Sequence, residues 1–295
     1  GSSRPTRNGP TAPGRCNRPP TAVPDMSTRT SDCGSPYPAA MKGVIRRHTD
    51  AELIDGAHDL PRGDPRAAAF WLRFVLPEFP PAVHCAGVDP GVGTDRDALV
   101  VRAGDHALVG PDNGVLLPPA RRITGGSGVE LECFRYDYAD PASATFHGRD
   151  VFAPAAAAVH EVGVDAIESL GAAAPIGSFD PDESADAVVD GRLPEADVTA
   201  HAADGEVLVV DDFGNAITNV PGPFLDGRVG ETVSVNRTSA TVTRAFADVD
   251  PGDRLVTVGS HGFVECDVNR GRGDDAFGLA PGDDVRVIGS SMTRD

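Results

Sequence analysis

The stretch AVHCAGVDPGVGTDRDALVV, residues 82–101, decides the fold class of this chain. It opens with a short apolar run that stops at an Asp-Pro-Gly sequence, and this pattern is typical of a buried strand that ends in a tight loop. The segments DALVVRAG (97–104) and HALVG (106–110) then predict the two strands of a hairpin. A buried sheet needs other elements packed on its faces, so helices are expected on either side of this stretch.

Helical patterns do flank these strands, in AAMKGVIRRH (39–48), DPRAAAFWLRFVLPEF (64–79) and GRDVFAPAAAAVHEVG (148–163). The second pattern is strongly amphipathic and is stopped by a pair of prolines, because proline cannot continue a helix. Strands that alternate with helices are typical of an α/β domain. We therefore predict an N-terminal α/β domain with a central, mostly parallel sheet over residues 31–180.

The composition changes towards both ends of the chain. Residues 181–203 are acidic and carry proline and glycine, which predicts a linker region on the surface. Residues 204–295 consist mostly of strand-like runs separated by turn residues, and they predict a smaller all-β, barrel-like C-terminal domain. Residues 1–30 are rich in Pro, Arg, Ser and Gly without a hydrophobic period, so we expect a disordered or non-native extension there.

The charge balance is strongly acidic. The net charge is −18, from 44 acidic and 26 basic residues, and Lys42 is the one lysine of the chain. This composition is typical of a halophilic, salt-adapted surface, since salt screens the repulsion between like charges. The codon preference of a GC-rich genome is the alternative explanation. Nucleic acid is not an expected partner, because the sequence offers no basic stripe to meet phosphates.

Targeting and cysteine patterns are equally plain. The apolar runs are too short and too alanine-rich to span a bilayer, and no charged-then-apolar signal opens the chain. We therefore expect a cytoplasmic protein with no membrane partner.

The five cysteines are scattered, odd in number and form no CxxC pair. This spacing argues against a disulfide framework and against a structural zinc site, so we expect no metal.

Several polar clusters stand out against this background. They are Asp32 in SDCGSPYP, Asp89 and Arg96 in VDPGVGTDR, His147 in TFHGRDVFAP, and Asp211, Phe213 and Asn215 in VDDFGNAITN, joined by SHGFVECDVN near the C-terminus. Each cluster has an ordinary explanation when it is taken alone. An aspartate after a strand usually caps a turn, an Asp–Arg pair is usually a salt bridge, and a lone histidine is usually a surface or core residue.

Taken together and in this order, the clusters resemble a known family. The stretches SDCGSPYPAAMKGVI, VDPGVGTDR, LVGPDNGVLLP, TFHGRDVFAPAAA, VDDFGNAITN and SHGFVECDVN are similar to motifs of the S-adenosyl-L-methionine (SAM) hydroxide adenosyltransferases, or SAM hydrolases, which are related to SAM-dependent halogenating enzymes. The resemblance extends from about residue 31 to about residue 290. It implies hydrolysis of SAM to adenosine and L-methionine, with hydroxide attacking the ribose C5′ and SAM as a substrate rather than a cofactor.

The resemblance also implies an assembly and a set of site residues. The family assembles as a homotrimer, with SAM between the N-terminal domain of one subunit and the C-terminal domain of its neighbour. The residues that match the family's catalytic positions are Asp89, Arg96 and His147. Those that match its substrate-binding positions are Asp32, Asp89, Asp211, Phe213, Asn215, Ser260, Glu265 and Val268. Asp32 would bind the ribose hydroxyls, and Asn215 the edge of the adenine ring.

The chemistry explains why these residue types are needed. Water has a pKa near 15.7, so free hydroxide is scarce at neutral pH. A histidine can take a proton from water, an arginine can hold the developing anion, and an aspartate can orient both. Hydroxide attacking a sulfonium cation destroys charge in the transition state, and a dry site favours such a reaction over separated ions.

Three alternatives remain open from the sequence. A halogenating relative would transfer halide to SAM and release a 5′-haloadenosine; the intact Asp-Arg-His set favours water, and the short spacing from Arg96 to PDNG leaves no room for the insertion of halogenating relatives. A binding module for SAM or adenosine without turnover is the second alternative. A metal hydrolase is the third, and the absence of HxH or HExxH spacing speaks against it.

Overall fold

The structure is a computed structural model that describes residues 29–30, 36–125, 130–138, 141–176 and 188–289. The predicted ribose-binding Asp32 lies outside the described residues. So do residues 1–28 of the predicted N-terminal extension, whereas its last two residues form a strand. Among the described residues, no helix combines the length and the apolar character that a membrane crossing requires.

The helices are α1 (Tyr37–His48), α2 (Pro65–Val75), α3 (Leu117–Thr124), α4 (Ala153–Val162) and α5 (Gly273–Phe277). The strands of the N-terminal domain are β1 (Arg29–Thr30), β2 (Asp55–Ala57), β3 (Val83–Ala86), β4 (Ala98–Ala103), β5 (His106–Pro111), β6 (Glu132–Tyr136) and β7 (Ala173–Pro175). Those of the C-terminal domain are β8 (Asp197–Val198), β9 (Ala202–Val210), β10 (Ala216–Pro221), β11 (Thr232–Val235), β12 (Thr238–Val242), β13 (Arg254–Val258), β14 (Phe263–Val268) and β15 (Asp284–Ile288). The predicted combination of an α/β domain and a smaller β domain is confirmed.

The N-terminal sheet is mixed, with the strand order β2-β1-β3-β5-β4-β6-β7. Strands β2, β1, β3 and β5 pair in parallel, and β5, β4, β6 and β7 pair antiparallel. The antiparallel pairs involve more residues, so the prediction of a mostly parallel sheet is wrong. The reason lies in the hairpin that the sequence itself predicts. The two-residue turn at Gly104 and Asp105 reverses the chain between β4 and β5, and β4 then offers an edge on which β6 continues antiparallel.

Helices cover both faces of this sheet. Met41 and Ile45 of α1 and four of the five alanines of α4 form one buried cluster with Val100 of β4. The neighbours of Val100 on β4, Leu99 and Val101, point to the other face and pack in a second cluster with α2 and α3. Alternating side chains of a strand lie on opposite faces, so β4 is buried from both sides, as its continuous apolar sequence predicts.

The C-terminal domain is a closed seven-stranded barrel. Its strands follow the order β10-β14-β13-β12-β11-β15-β9, and the pairing of β9 with β10 closes the ring. The short strand β8 pairs with β9 outside the ring and belongs to the predicted linker, of which residues 188–203 are described. The barrel interior is filled by small and branched side chains, among them Val207, Val235 and Cys266. Closure removes the free strand edges that an open sheet would expose.

Helix α2 joins the two domains. Its first turn is capped by Asp64, whose carboxylate Oδ1 accepts a hydrogen bond of 2.9 Å from the Ala67 amide. Ala67 and Phe70 of α2 then form one buried cluster with three barrel residues, Leu208, Val209 and Ile217. Arg66, also on α2, forms an ion pair with Glu206 of β9. Helix α2, which the amphipathic pattern of the sequence predicts, therefore packs its apolar residues against both the sheet and the barrel.

Candidate active site

Asp89, Arg96 and His147 lie together beyond the carboxyl end of β3. The Asp89 side chain is buried, and its Oδ1 accepts hydrogen bonds from Arg96 Nη1 at 2.9 Å and from the Gly91 amide at 3.2 Å. Its other oxygen, Oδ2, lies 3.6 Å from His147 Nδ1. One carboxylate thus contacts both the guanidinium and the imidazole. The structure brings together the three residues that the sequence predicts to be catalytic.

Two glycines make this close arrangement possible. A Cβ atom on Gly91 would lie 2.4 Å from Arg96 Cζ, so any larger residue would displace the guanidinium from Asp89. Gly93 has a positive φ of 83°, and a Cβ there would lie 2.6 Å from the carbonyl oxygen of Ala144. The loop after β3 can therefore approach the segment before His147 only because residue 93 is glycine.

The backbone at His147 has an unusual form. His147 precedes a π-helical turn, Gly148–Phe152, which continues directly into α4. The imidazole is buried and lies edge-on to the rings of Tyr138 and Phe152, with centroid distances of 6.1 Å and 6.4 Å. Single π-helical turns within helices are frequent at functional sites, since they re-aim one side chain. The predicted helix start near Gly148 corresponds to this turn.

The arrangement suits activation of water. The Asp89 carboxylate is 3.6 Å from Nδ1, longer than a hydrogen bond, and its negative charge favours the ring proton on Nδ1, which leaves Nε2 free to act as a base. The Arg96 side chain is 29% exposed, so its guanidinium can also reach a group outside the protein. Within the described ranges, no group of three or more His, Cys, Asp or Glu side chains could hold a metal ion.

The second candidate region is a cavity of about 710 Å³ on the barrel. All six C-terminal residues that the sequence predicts to bind substrate line it: Asp211, Phe213, Asn215, Ser260, Glu265 and Val268. They come from the loop after β9, the loop after β13, and β14. Phe213 is 79% exposed, which is unusual for a phenyl ring and leaves its face available to a ligand.

The loop between β9 and β10 is ordered by its own aspartate. Asp211 Oδ1 accepts hydrogen bonds from the amides of Phe213 and Asn215, and its Oδ2 accepts one of 3.0 Å from Asn215 Nδ2. Asp211 therefore positions Phe213 and Asn215, a structural role beside the predicted contact to substrate. Asn269, which follows β14, also has a structural role, since its Nδ2 donates a hydrogen bond to the carbonyl oxygen of Val249.

Glu265 and His261 form a buried pair at the cavity wall. Glu265 Oε1 lies 2.6 Å from His261 Nε2, and His261 Nδ1 accepts a hydrogen bond from the Phe263 amide. This second bond assigns the imidazole proton to Nε2, so His261 donates to Glu265. The carboxylate is thereby oriented without a full positive charge beside it.

Asp267, two residues further along β14, is fully buried, and neither of its oxygens has a hydrogen-bond partner among the described residues. Burial and, after it, the negative charges of Glu265 and Asp211 raise the pKa of Asp267 to about 8. The carboxyl is therefore protonated at neutral pH in the folded protein, while an unfolded aspartate ionises near pH 4.

This difference predicts a pH dependence of stability. Between about pH 4 and pH 8 the unfolded chain loses the Asp267 proton and the folded chain keeps it, so each pH unit destabilises the fold by up to about 1.4 kcal/mol. Asp267→Asn should remove this loss and become increasingly more stable than the parent as the pH rises towards 8. Denaturant unfolding at several pH values measures the difference. The exposed Asp59→Asn is the control and should follow the parent; parallel curves for Asp267→Asn and the parent would show that the carboxyl is not raised.

The two regions remain separate within one chain. None of Asp89, Arg96 and His147 lines the barrel cavity. Arg244, Phe246 and Arg270 also line that cavity, and no sequence motif pointed to them. Arg270 has a positive φ of 59°, a conformation that non-glycine residues rarely adopt. Residue spacing gave no signal for Arg244, because only the closed barrel brings the loop after β12 next to the end of β14.

The comparisons with known proteins agree with these motifs. The model of the SAM hydroxide adenosyltransferase N-terminal domain matches residues 28–171, and that of the C-terminal domain matches residues 205–286. Proteins named (R)-S-adenosyl-L-methionine hydrolase from Salinispora tropica and Thermus thermophilus are 41% and 40% identical to this chain. These alignments cover 85% and 88% of this chain, and 92% and 97% of the two relatives.

Solved structures show the same fold. The crystal structure of an uncharacterized conserved protein from Thermotoga maritima is 32% identical in sequence and superimposes with a TM-score of 0.73, over 89% of this chain and 100% of that one. A conserved hypothetical protein from Thermus thermophilus is 36% identical, with a TM-score of 0.67 over 90% of this chain and 100% of its own. The family predicted from the motifs is confirmed: the chain belongs to the SAM hydroxide adenosyltransferases.

Proposed function

We propose that this protein is an enzyme that hydrolyses S-adenosyl-L-methionine to adenosine and L-methionine. The observation that carries the proposal is the contact of one buried carboxylate, Asp89, with both Arg96 and His147. The motifs surrounding these residues match the family over both domains, and the relatives named above as hydrolases of (R)-SAM align over most of their length. The prefix in their name specifies the configuration at sulfur, so the (R) epimer is the proposed substrate.

The triad assigns a role to each residue. His147 Nε2 takes a proton from water, and the nearby negative charge of Asp89 stabilises the imidazolium that forms. Arg96, held on the other oxygen of Asp89, stabilises the hydroxide as it forms. The oxygen attacks the ribose C5′, the C5′–S bond breaks, and its electron pair leaves on the thioether sulfur of methionine. Anion and sulfonium cancel in this step, so a site with little water favours it.

The barrel cavity matches the charges of SAM. The sulfonium and ammonium groups of SAM are cationic and its carboxylate is anionic, and the cavity carries the carboxylates of Asp211 and Glu265 together with the guanidinium groups of Arg244 and Arg270. Phe213 offers a ring face for the adenine, and Asn215 offers an amide that can donate and accept at the purine edge. Ser260 and Val268 complete the proposed contacts. We also assign the ribose hydroxyls to Asp32, on the motif SDCGSPYP, since one carboxylate can accept from both hydroxyls.

We further propose a homotrimer in which each active site is shared between neighbouring chains. Its support is the separation of the triad from the barrel cavity within one chain. A head-to-tail contact that closes a ring would place the N-terminal domain of one copy against the barrel of the next. Light scattering in molar salt should give three times the mass of one chain. A monomer that turns over SAM would contradict the shared site.

Composition supports the proposed setting. The described cysteines, Cys85, Cys133 and Cys266, are free and buried, as is usual in the reducing cytoplasm. The net charge of −18 supports a saline interior, where screening relieves the repulsion between surface carboxylates. Activity is therefore best measured at high salt.

The proposal is tested by incubating the purified protein with SAM in molar salt and identifying the products by chromatography. Adenosine and methionine should rise together at equal amounts. Replacing chloride by acetate should leave the rate unchanged, and the (R) epimer at sulfur should be consumed in preference to the (S) epimer. If 5′-chloroadenosine were the main product in chloride, the protein would be a halogenating enzyme. If SAM bound without being consumed, it would be a binding module.

A further inference from the structure

Four arginines from three distant parts of the sequence come together between the two domains. None of them belongs to a motif of the family. Arg73 of α2, Arg121 and Arg122 of α3, and Arg192 line one open cavity of about 650 Å³, together with Glu195 as its acidic residue. We name this cavity the arginine cleft. Such a concentration of positive charge is notable in a chain with 44 acidic and 26 basic residues.

In the part of the chain that the structure describes, two of the four arginines have no carboxylate partner. Arg121 and Arg192 both form ion pairs with Asp190, at 2.9 Å for Arg192. Among the described residues, no carboxylate lies within ion-pair distance of Arg73 or Arg122. Burial, and then repulsion from Arg122, lowers the pKa of Arg73. Two neighbouring guanidinium groups that repel each other are stabilised by an anion bound between them.

The cleft also has an apolar wall. The Arg73 guanidinium lies over the Phe263 ring, 5.0 Å from its centroid, which holds the side chain in place. Pro118, Leu193 and Pro221 line the cleft beside Phe263. A cavity of this volume, with a few fixed charges and an apolar wall, has the size and lining of a small-molecule site.

A smaller cavity of about 170 Å³ continues from the cleft and shares Arg73 and Arg122 with it. Ser260 and His261 line this smaller cavity. Ser260 also lines the proposed SAM cavity, and His261 donates to Glu265 there. The arginine cleft and the substrate cavity share no lining residue, and the smaller cavity lies between them.

We propose that the arginine cleft binds a small organic oxyanion that carries two or more phosphate or carboxylate groups. Arg73 and Arg122 make the charge-assisted hydrogen bonds to it, and Phe263 with its neighbours covers the organic part. Guanidinium groups pair with either kind of oxyanion through two parallel hydrogen bonds. The site needs neither SAM nor the triad, so it stands or falls independently of the proposed hydrolysis.

The test is calorimetric titration of the full-length protein, without SAM, at one ionic strength set with potassium chloride. Inorganic pyrophosphate represents the phosphates and citrate the carboxylates, and the tighter of the two identifies the class. At least one should bind saturably. Arg122→Gln should weaken it by about tenfold or more, and Arg73→Gln/Arg122→Gln should abolish it. Because Arg122 is exposed, its substitution leaves the fold intact, and circular dichroism verifies this.

Arg47→Gln is the matched control, since Arg47 is also an exposed helical arginine but lies on α1, outside the cleft. It should bind the probe as the parent does. Equal affinity of Arg122→Gln and the parent would overturn the proposal. So would heats that depend on ionic strength alone, which would indicate an adventitious ion only. A third outcome would also overturn the proposal: the parent binds neither anion, and Arg122→Gln no longer has the mass of a trimer. The arginines would then belong to a contact between subunits.

Discussion

His147→Ala is expected to slow adenosine formation by about 10²–10⁴, because it removes the proposed general base. The imidazole lies against Asp89 and outside the barrel cavity that is proposed to bind SAM, so the affinity for SAM should change little. Single-turnover rates and calorimetric binding on the same protein separate the two effects. A variant that turned over normally and lost only affinity would make His147 a binding or structural residue.

A second substitution tests whether the triad acts as one unit. Asp89→Asn keeps the shape of the side chain but removes the charge that holds Arg96 and His147. It should slow the reaction strongly, and the double variant with His147→Ala should be little slower than either single one, since residues that act together are not additive. The control is His201→Ala, which removes an exposed histidine far in sequence from the triad. This variant should be as active as the parent.

Co-expression of two defective variants is expected to restore activity if the sites are shared between chains. One partner is Asp89→Asn, which is defective in the N-terminal domain. The other is Phe213→Ala/Asn215→Ala, which is defective in the barrel cavity. In a randomly mixed ring, about a quarter of the sites combine an intact N-terminal domain with an intact barrel from the neighbour. The mixture should therefore show about a quarter of the parent activity at low SAM concentration.

A site that lies within one chain predicts a different result. No chain in the mixture would then hold an intact site, and the activity would equal the average of the two defective variants. Co-expression of two copies of the same variant, with different tags, is the control and should restore nothing. Phe213 is exposed and Asn215 lies in a surface loop, so the second variant is expected to fold.

Much of the fold could be predicted from local patterns. The apolar run before Asp89, the hairpin that follows it and the amphipathic helix capped by Asp64 all occur where the sequence places them. The prediction of a mostly parallel sheet, made from the alternation of strands and helices, was wrong. The direction of a strand depends on which edge of the sheet it joins. The hairpin creates such an edge on β4, and β6 adds to it antiparallel.

The site could be predicted only where residues belong to motifs. The triad lies in VDPGVGTDR and TFHGRDVFAP, two stretches about fifty residues apart that resemble the family, and the structure brings their side chains into contact. Arg244 lies in none of these motifs, and for Asp267, which lies in SHGFVECDVN, the motif gave no indication of its burial. Their positions depend on barrel closure, which brings the loop after β12 to the cavity, and on burial of the outer side of β14. Neither feature has a local pattern in the sequence.

Attack of water on the ribose C5′ of SAM can be followed by running the reaction in ¹⁸O-labelled water and analysing adenosine by mass spectrometry. Adenosine should carry one ¹⁸O atom, located at the 5′-oxygen, and methionine should carry none. Adenosine without label, labelled methionine, or a 5′-haloadenosine in place of adenosine would contradict attack by water, because the new bond to C5′ would then not come from water.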